Sequence, residues 1–327
     1  CAGWDSPDPE FAKARVQNFI DRKIEGGVTA SSLTLGRSLG LVETFAGAAR
    51  AITAFDLHLG EMRERAVKVL TARDIEKAKA EGKAGVIVNF QTSWPIGRSL
   101  SNIDTFWNMG LRIMQLTYHE ANIIGDGCVS RRARYAGLTD YGIHVVERMN
   151  ELGMLIDLSH CGYKTAIDTL EVSKDPVAFT HTNIRALNDM VRCKYDDEMK
   201  ALAEKGGVIG ITAIARFIRK EAPREGATME HFLDQIDYVT NLAGVDHVGI
   251  GTDISEGITA KELQASFARR GDRVWGAPTM RLGPAGEEWP LEHYYPFGLE
   301  SGSKMPIVTK GLLARGYSDQ EILKILG

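Results

Sequence analysis

The chain of 327 residues predicts an α/β protein folded as a (β/α)₈ TIM barrel, a single domain over residues 1–327. Three observations predict this class. Short apolar runs alternate with amphipathic segments, as in βα units around a parallel sheet. Several amphipathic segments end at glycine, where helices commonly stop. No short repeat or low-complexity linker divides the chain. A doubly wound open sheet is the structural alternative, because strand spacing alone does not show closure.

Seven apolar runs are the predicted strands. In chain order they cover residues 28–35, 85–90, 112–118, 154–159, 176–181, 207–213 and 247–253. A closed barrel of this class has eight strands. We therefore expect the first strand upstream of residue 1, directly before the amphipathic segment 9–27.

Helices are predicted between the strands from their start and stop residues. Thr71 and Asp74 stand at capping-box spacing, and a glycine follows the last turn of that segment. Segments 140–153 and 196–207 also end on glycine. The Gly- and Pro-rich stretch 270–298 is predicted to be a long loop, and loops of that length in compact domains are often functional.

Composition and charge exclude several classes of partner. Hydrophobic residues make up 44% of the chain and charged residues 25%, as in globular proteins. The formal net charge of −4 gives no electrostatic reason to expect nucleic acid or an anionic membrane as partner. No apolar run is long enough to span a bilayer.

The number and spacing of the cysteines indicate whether the protein occupies a reducing or an oxidising compartment. Cys1, Cys128, Cys161 and Cys193 are widely spaced and form no CxxC pair, which fits a reducing compartment and argues against a zinc ribbon. We therefore expect a cytoplasmic protein. A signal peptide upstream of Cys1 is the alternative.

Polar residues at the carboxyl ends of the predicted strands are the candidates for chemistry, because a barrel of this class builds its site there. They are Gln91, Tyr118, His160, His181 and Asp253. Neutral imidazole binds zinc, and a nearby carboxylate can ligate the ion or take a proton from its water. A single strand-end histidine is more often a hydrogen-bonded polar residue. Two histidines and an aspartate at one rim favour a site.

The neighbours of these residues are weaker candidates. His119 and Glu120 follow Tyr118, and alternate residues of a strand face opposite sides. With Tyr118 directed inward, His119 is predicted to point away and Glu120 to lie in the following loop. Cys161, directly after His160, is predicted to be a buried structural thiol rather than a nucleophile.

Three stretches of the chain resemble the membrane (renal) dipeptidase family of zinc peptidases. They are residues 154–211, which hold "DLSH" and "THTN", the run "VDHVGIGTD", and the tail "GLESGSKMPIVTKGLLARGYSDQEILKILG". The resemblance extends from about residue 26 to the last residue. It implies a (β/α)₈ barrel of the amidohydrolase kind, with a two-zinc site that activates water to cut dipeptides.

The resemblance implies roles for four matching residues. His160 and His181 match the two histidines on the second zinc, and Asp253 matches the aspartate beside the bridging water. Arg192 matches the arginine that holds the substrate carboxylate, a role that suits its planar fork. Without the resemblance, Arg192 is interpreted as a solvated loop residue.

Two departures from the family pattern weaken the first zinc position. The His-x-Asp pair after the family's first strand has no counterpart near the start, and we expect it upstream of Cys1. Gln91 stands in place of the glutamate that bridges both metals, and Tyr118 in place of a histidine that polarises the substrate carbonyl. An amide oxygen is a weak ligand that offsets no charge. The sequence therefore predicts a divergent branch with one zinc at His160 and His181.

The expected function is hydrolysis of a dipeptide or related small amide by zinc-activated water. Gln91 and Arg192 are the predicted substrate-binding residues, and Tyr118 is predicted to donate a hydrogen bond to a developing oxyanion. The resemblance also allows a homodimer. One alternative is an inactive barrel that binds a small carboxylated ligand through Arg192. Another is metal-free acid–base catalysis by Asp253 and His181.

Overall fold

Eight parallel strands form one curled sheet in the computed structural model, which describes residues 9–35, 44–130, 136–220, 226–257 and 293–327. The strands are β1 (Ala30–Thr34), β2 (Ala66–Lys68), β3 (Ala84–Phe90), β4 (Leu111–Gln115), β5 (Leu155–Asp157), β6 (Ala178–Thr182), β7 (Val208–Ile211) and β8 (Val248–Ile250). Seven of them coincide with the predicted strands, and the α/β barrel class is confirmed. Only β2 is additional.

The strands are hydrogen-bonded to one another nearly in chain order, as in a barrel. Neighbours follow the path β1-β3-β4-β5-β6-β7-β8, and β2 pairs with the first residues of β3. Within the described ranges, no ladder joins β1 to β8. A further strand upstream of residue 1 stays a prediction.

Helices connect the strands and cover the sheet. They are α1 (Pro9–Glu25), α2 (Phe45–Glu61), α3 (Ala72–Glu81), α4 (Ser101–Asn108), α5 (Asp140–Leu152), α6 (Tyr163–Val172), α7 (Asp196–Glu204), α8 (Ala215–Ile218), α9 (Met229–Ala243), α10 (Pro306–Ala314) and α11 (Asp319–Leu326). Short 3₁₀ turns occupy Trp94–Ile96, Val245–His247 and Gly302–Lys304. In the part of the chain described here, no helix combines the length and apolarity needed to cross a membrane.

The predicted helix ends have a physical cause in the structure. At the start of α3, Asp74 accepts hydrogen bonds from the backbone N–H of Thr71 at 2.7 Å and of Leu70 at 2.9 Å. Gly82 then ends the helix in the left-handed conformation. The start of α5 is capped by Thr139, and Gly153 ends it in the same way. The predicted loop 270–298 lies outside the described residues up to position 292.

The core lies on both faces of the sheet, as expected for parallel strands covered by helices. In β3, Val86, Val88 and Phe90 are buried, and Phe106 of α4 packs edge-on against Phe90 at 4.9 Å between ring centroids. The carboxyl ends of the strands are therefore held by a packed core, and the polar residues that follow them are placed at one rim.

Two glycines allow close approach of the backbone at that rim. A Cβ atom at Gly251, just after β8, would lie 1.9 Å from the carbonyl oxygen of Thr180, and one at Gly210 of β7 would lie 2.2 Å from the same atom. Neither distance is compatible with a side chain. Both glycines therefore allow β7 and the end of β8 to pack closely against β6, the strand that carries His181.

Replacing Gly251 by alanine is expected to destabilise the protein, because the new methyl group meets backbone that cannot rotate away. We expect a loss of at least about 1–3 kcal/mol, the usual range for overpacking. Urea denaturation followed by circular dichroism measures it. Gly60→Ala is the matched control: this glycine is exposed in helix α2, nothing described lies within 4 Å of its Cβ position, and alanine there should be neutral or stabilising. Equal midpoints for the two variants would contradict the steric argument.

Candidate metal centre

The ends of β5 and β6 bring two predicted metal ligands together. His160 follows β5 by three residues, and His181 lies within β6. Their Nε2 atoms are 3.0 Å apart, and both side chains are buried. At this distance, one nitrogen can donate a hydrogen bond to the other, or both nitrogens can bind the same cation. The sequence-based pairing of these histidines is therefore matched by their geometry.

Asp157 and Thr180 determine which nitrogen of His181 carries the proton. The Thr180 hydroxyl donates to Oδ2 of Asp157 at 2.7 Å, so its only hydrogen is used there. The same hydroxyl oxygen lies 2.8 Å from Nδ1 of His181 and can only accept from it. Nδ1 of His181 therefore carries the hydrogen, and its Nε2 presents a lone pair to His160. A hydrogen bond that fixes the tautomer in this way is the usual support of a metal-binding histidine.

Replacing Thr180 by valine is expected to weaken zinc binding roughly 10- to 100-fold, the usual effect of losing an outer hydrogen-bond partner of a histidine ligand. Valine keeps the shape of threonine but cannot accept from His181. Isothermal titration of the metal-free protein with zinc measures the change. Thr180→Ser retains the hydroxyl and should restore most of the affinity. Equal weakening by serine and valine would show that the hydroxyl has no such role.

Asp253 and Gln91 meet at the same rim. Nε2 of Gln91 donates to Oδ1 of Asp253 at 3.5 Å, although 162 residues separate them in sequence. Asp253 has a φ of 54° and is the one residue other than glycine with positive φ in the described ranges. Such backbone strain is concentrated at functional sites. Gln91, His181 and Asp253 together line a cavity of about 920 Å³.

Gln91 is itself positioned by a neighbour that the sequence did not indicate. Gln115, the last residue of β4, is fully buried. Its Nε2 donates to the carbonyl oxygen of Gln91 at 2.5 Å and to that of Thr117 at 2.6 Å. One amide therefore ties together the ends of β3 and β4.

Tyr118 and His119 both lie against His160. The Tyr118 ring stacks on His160 with 4.4 Å between centroids and 19° between planes. Nδ1 of His119 lies 3.0 Å from Nδ1 of His160, and His119 is buried. The prediction that His119 points away is therefore wrong. It assumed strand alternation through residue 118, but β4 ends at Gln115, and the chain beyond it is free to turn both rings to the same side.

His119 also belongs to a cluster that could hold a metal ion. A ring nitrogen of His119, a ring nitrogen of His160 and Sγ of Cys128 all lie within 4.8 Å of one another. Cys128 was not predicted to take part in any site, because it lies in the loop between β4 and α5, whose course no sequence pattern encodes. The loop glutamate Glu120 is exposed, in agreement with its predicted place.

The three described cysteines are buried free thiols. Burial raises the pKa of Cys161 to about 11, and Thr117 donates a hydrogen bond to its sulfur at 3.4 Å. Burial also raises the pKa of Cys128, and the positive charges of Arg192 and Lys194 oppose that rise in part. Cys161 thus has the properties of the structural thiol that the sequence predicts.

Arg192 is fully buried beneath the two histidines. Its guanidinium donates to the carbonyl oxygen of Ser159 and to that of His181, each at 2.5 Å. These carbonyls belong to the residue before His160 and to His181 itself. Arg192 therefore fixes the backbone that carries both histidines. Its predicted contact with a substrate carboxylate stays a prediction.

The donor set at His160 and His181 fits a zinc ion. Two zinc–nitrogen bonds of about 2.0–2.1 Å at a tetrahedral angle place the nitrogens about 3.3 Å apart, close to the 3.0 Å found between the Nε2 atoms. The hydrogen bonding of His181 already leaves its Nε2 unprotonated. The two histidines can thus accept a cation with a small side-chain adjustment.

A family model and curated relatives both show similarity between this chain and dipeptidases. The family model described as Membrane dipeptidase (Peptidase family M19) matches residues 49–266. Dipeptidase verJ of Clonostachys rogersoniana and Dipeptidase tcpJ of Claviceps purpurea are each 29% identical to this chain. The alignments cover 79% and 78% of this chain but 56% and 52% of the relatives. The chain therefore spans about half the length of these curated relatives.

Solved structures share the fold over almost the whole chain. An amidohydrolase from Pseudomonas aeruginosa superposes with a TM-score of 0.81 at 29% identity, covering 95% of this chain and 89% of that one. Dipeptidase AC, a metallopeptidase of family M19, gives 0.75 at 21% identity, with 94% and 85% covered. A metallopeptidase from Rhodobacter sphaeroides, solved with a phosphinate mimic of the dipeptide L-Ala-D-Ala, gives 0.69 at 20% identity, with 94% and 86% covered.

Proposed function

The chain belongs to the membrane dipeptidase family, peptidase family M19, and from this premise we propose that it is a metal-dependent hydrolase of a dipeptide or related small amide. One observation carries the proposal: the Nε2 atoms of His160 and His181 face one another at 3.0 Å at the rim where Asp253 also lies. The relatives named as dipeptidases support the substrate class.

We assign one zinc to His160 and His181. When bound, zinc supplies a Lewis acid and lowers the pKa of water. The replacement of a bridging carboxylate by Gln91 supports a reduced site in a divergent branch of the family, because a neutral amide offsets no charge of a second ion. His181 keeps its Nε2 lone pair available through Thr180 and Asp157.

Asp253 is the proposed proton acceptor. Gln91 donates to Oδ1 of Asp253 and so orients the carboxylate, which leaves Oδ2 to take a proton from the attacking water and return it to the leaving amine. Tyr118, stacked on His160, is the proposed donor to the oxyanion that develops on the substrate carbonyl. Arg192 holds the backbone of both histidines in place during these steps.

Metal analysis together with hydrolysis assays tests this function. The pure full-length protein is expected to hold about one zinc per chain and to hydrolyse members of a dipeptide and N-acyl amino acid panel. A chelator should abolish product formation, and added zinc should restore it. Absence of zinc, together with product formation that is insensitive to chelator, would reject the proposal. Stabilisation by a carboxylated ligand without turnover would instead support the inactive binding barrel.

A further inference from the structure

The two ring nitrogens of His160 face different sets of donor atoms. Nε2 faces His181, and Nδ1 lies 3.0 Å from Nδ1 of His119, with Cys128 in the same cluster. His119 and Cys128 have no part in the hydrolysis proposed above. Imidazole nitrogen and thiolate sulfur are the donors that zinc and other soft divalent cations prefer.

The main chain holds Cys128 beside both histidines. The backbone N–H of Cys128 donates to the carbonyl oxygen of His160 at 2.8 Å, and the N–H of Val129 donates to that of His119 at 3.0 Å. Gly127 makes this approach feasible, because a Cβ atom there would lie 2.3 Å from the carbonyl oxygen of His119. Since the backbone is already in place, ligation of a cation requires only small rotations of three side chains.

We propose that His119, Cys128 and His160 form a second cation site, which binds a thiophilic divalent ion and competes with the His160–His181 centre for His160. On binding, the S–H bond of Cys128 breaks, its proton passes to solvent buffer, and the sulfur lone pair forms the bond to the metal. Each histidine contributes one nitrogen lone pair. The competition rests on the proposed function; the thiolate site itself does not.

Competition follows from the protonation of imidazole. A neutral histidine carries one hydrogen and one free lone pair, so it ligates through one nitrogen at a time. A cation held by His119 and Cys128 through Nδ1 of His160 leaves the hydrogen of His160 on Nε2, where it faces His181. The centre proposed for hydrolysis then lacks one of its ligands. A soft cation at the second site is therefore inhibitory.

Cobalt titration of the metal-free full chain tests the site directly. Co²⁺ bound by a thiolate gives a strong sulfur-to-metal charge-transfer absorption in the near ultraviolet, which purely nitrogen and oxygen ligands do not give. We expect this band in the unchanged protein and in His181→Ala, and its loss in Cys128→Ser and in His160→Ala. Cys128→Ser should still take up Co²⁺ through His160 and His181.

Matched thiol controls make the assignment specific. Cys161→Ser and Cys193→Ser replace the other two described buried thiols and should keep the band. Near-ultraviolet circular dichroism checks that each variant is folded. A folded wild type that takes up no Co²⁺, or takes it up without the band, overturns the site. So does a band that survives Cys128→Ser or disappears in Cys161→Ser.

Stoichiometry and hydrolysis separate this inference from the proposed function. Simultaneous binding of two Co²⁺ per chain would overturn the competition, because His160 would then serve both positions. Zinc-dependent hydrolysis without a cobalt–thiolate band rejects the second site and leaves the hydrolase intact. A thiolate band in a protein that hydrolyses nothing rejects the hydrolase and leaves the second site.

Discussion

Replacing His181 by alanine is expected to remove zinc from the His160–His181 centre and to slow hydrolysis by at least about 100-fold. Losing only an outer partner of a histidine ligand already weakens metal binding roughly 10- to 100-fold, and losing the ligand itself should do more. The His181 side chain is buried, with its Nε2 at 3.0 Å from Nε2 of His160, so alanine removes one of the two nitrogens of this centre. Two measurements report the effect: the zinc content of the dialysed protein in a Cys128→Ser background, which lacks the second site, and the initial rate on the best dipeptide.

Two further variants distinguish metal loss from misfolding. His181→Gln fills most of the space and should also lose zinc from the His160–His181 centre, because an amide is a weak ligand. His144→Ala removes an exposed histidine of helix α5, which pairs with Glu147, and should keep both zinc and activity. Full zinc content in a folded protein carrying both His181→Ala and Cys128→Ser would remove His181 from the ligand set.

Replacing Asp253 by asparagine is expected to lower the rate of hydrolysis about 10²- to 10⁴-fold, the usual contribution of a positioned general base. The substitution is conservative in shape. Asparagine also tolerates the left-handed backbone that Asp253 adopts, so the fold should persist. The amide can still contact Gln91 but cannot accept a proton from water. Steady-state kinetics with added zinc measures kcat and KM separately, and the loss is expected in kcat.

Asp246→Asn is the matched control for this prediction. Asp246 lies in the short turn before β8, is exposed, and pairs with Lys324 on the surface. Removing its charge should change neither kcat nor KM measurably, since exposed ion pairs contribute little. A value of kcat in Asp253→Asn within a few-fold of the unchanged protein would exclude Asp253 as the base.

The sequence predicted the sheet better than the connections that complete the site. Apolar β-branched runs indicated β3 and β7 because their side chains are buried by the barrel and its helices. The three-residue strand β2 was missed, since Ala66–Lys68 is too short to show a period. His160 and His181 were chosen as candidates because each stands at the carboxyl end of an apolar run, where this architecture places its chemistry.

The supporting residues could not be recognised in the same way. Asp157 and Thr180 lie within apolar runs, and only the pairing of β5 with β6 brings them together beside His181. Cys128 reaches His160 through a loop whose course no periodicity encodes. The orientation of His119 depended on where β4 ends, and strand ends are the least certain part of a sequence-based prediction. Arg192 gave no sign that it would be buried.

The position of Arg192 has a consequence for the order in which the molecule forms. The two carbonyls that it joins precede it by 33 and 11 residues in the chain. The pairing of β5 with β6, which joins Asp157 to Ala178, closes a loop of intermediate length. Loops of similar length cost similar entropy to close, so the contacts of Arg192 can form together with this strand pair. A nascent chain that has emerged only to residue 191 contains both histidines but lacks the guanidinium that fixes their backbone. The arrangement of the two histidines is therefore complete only once the chain extends to Arg192.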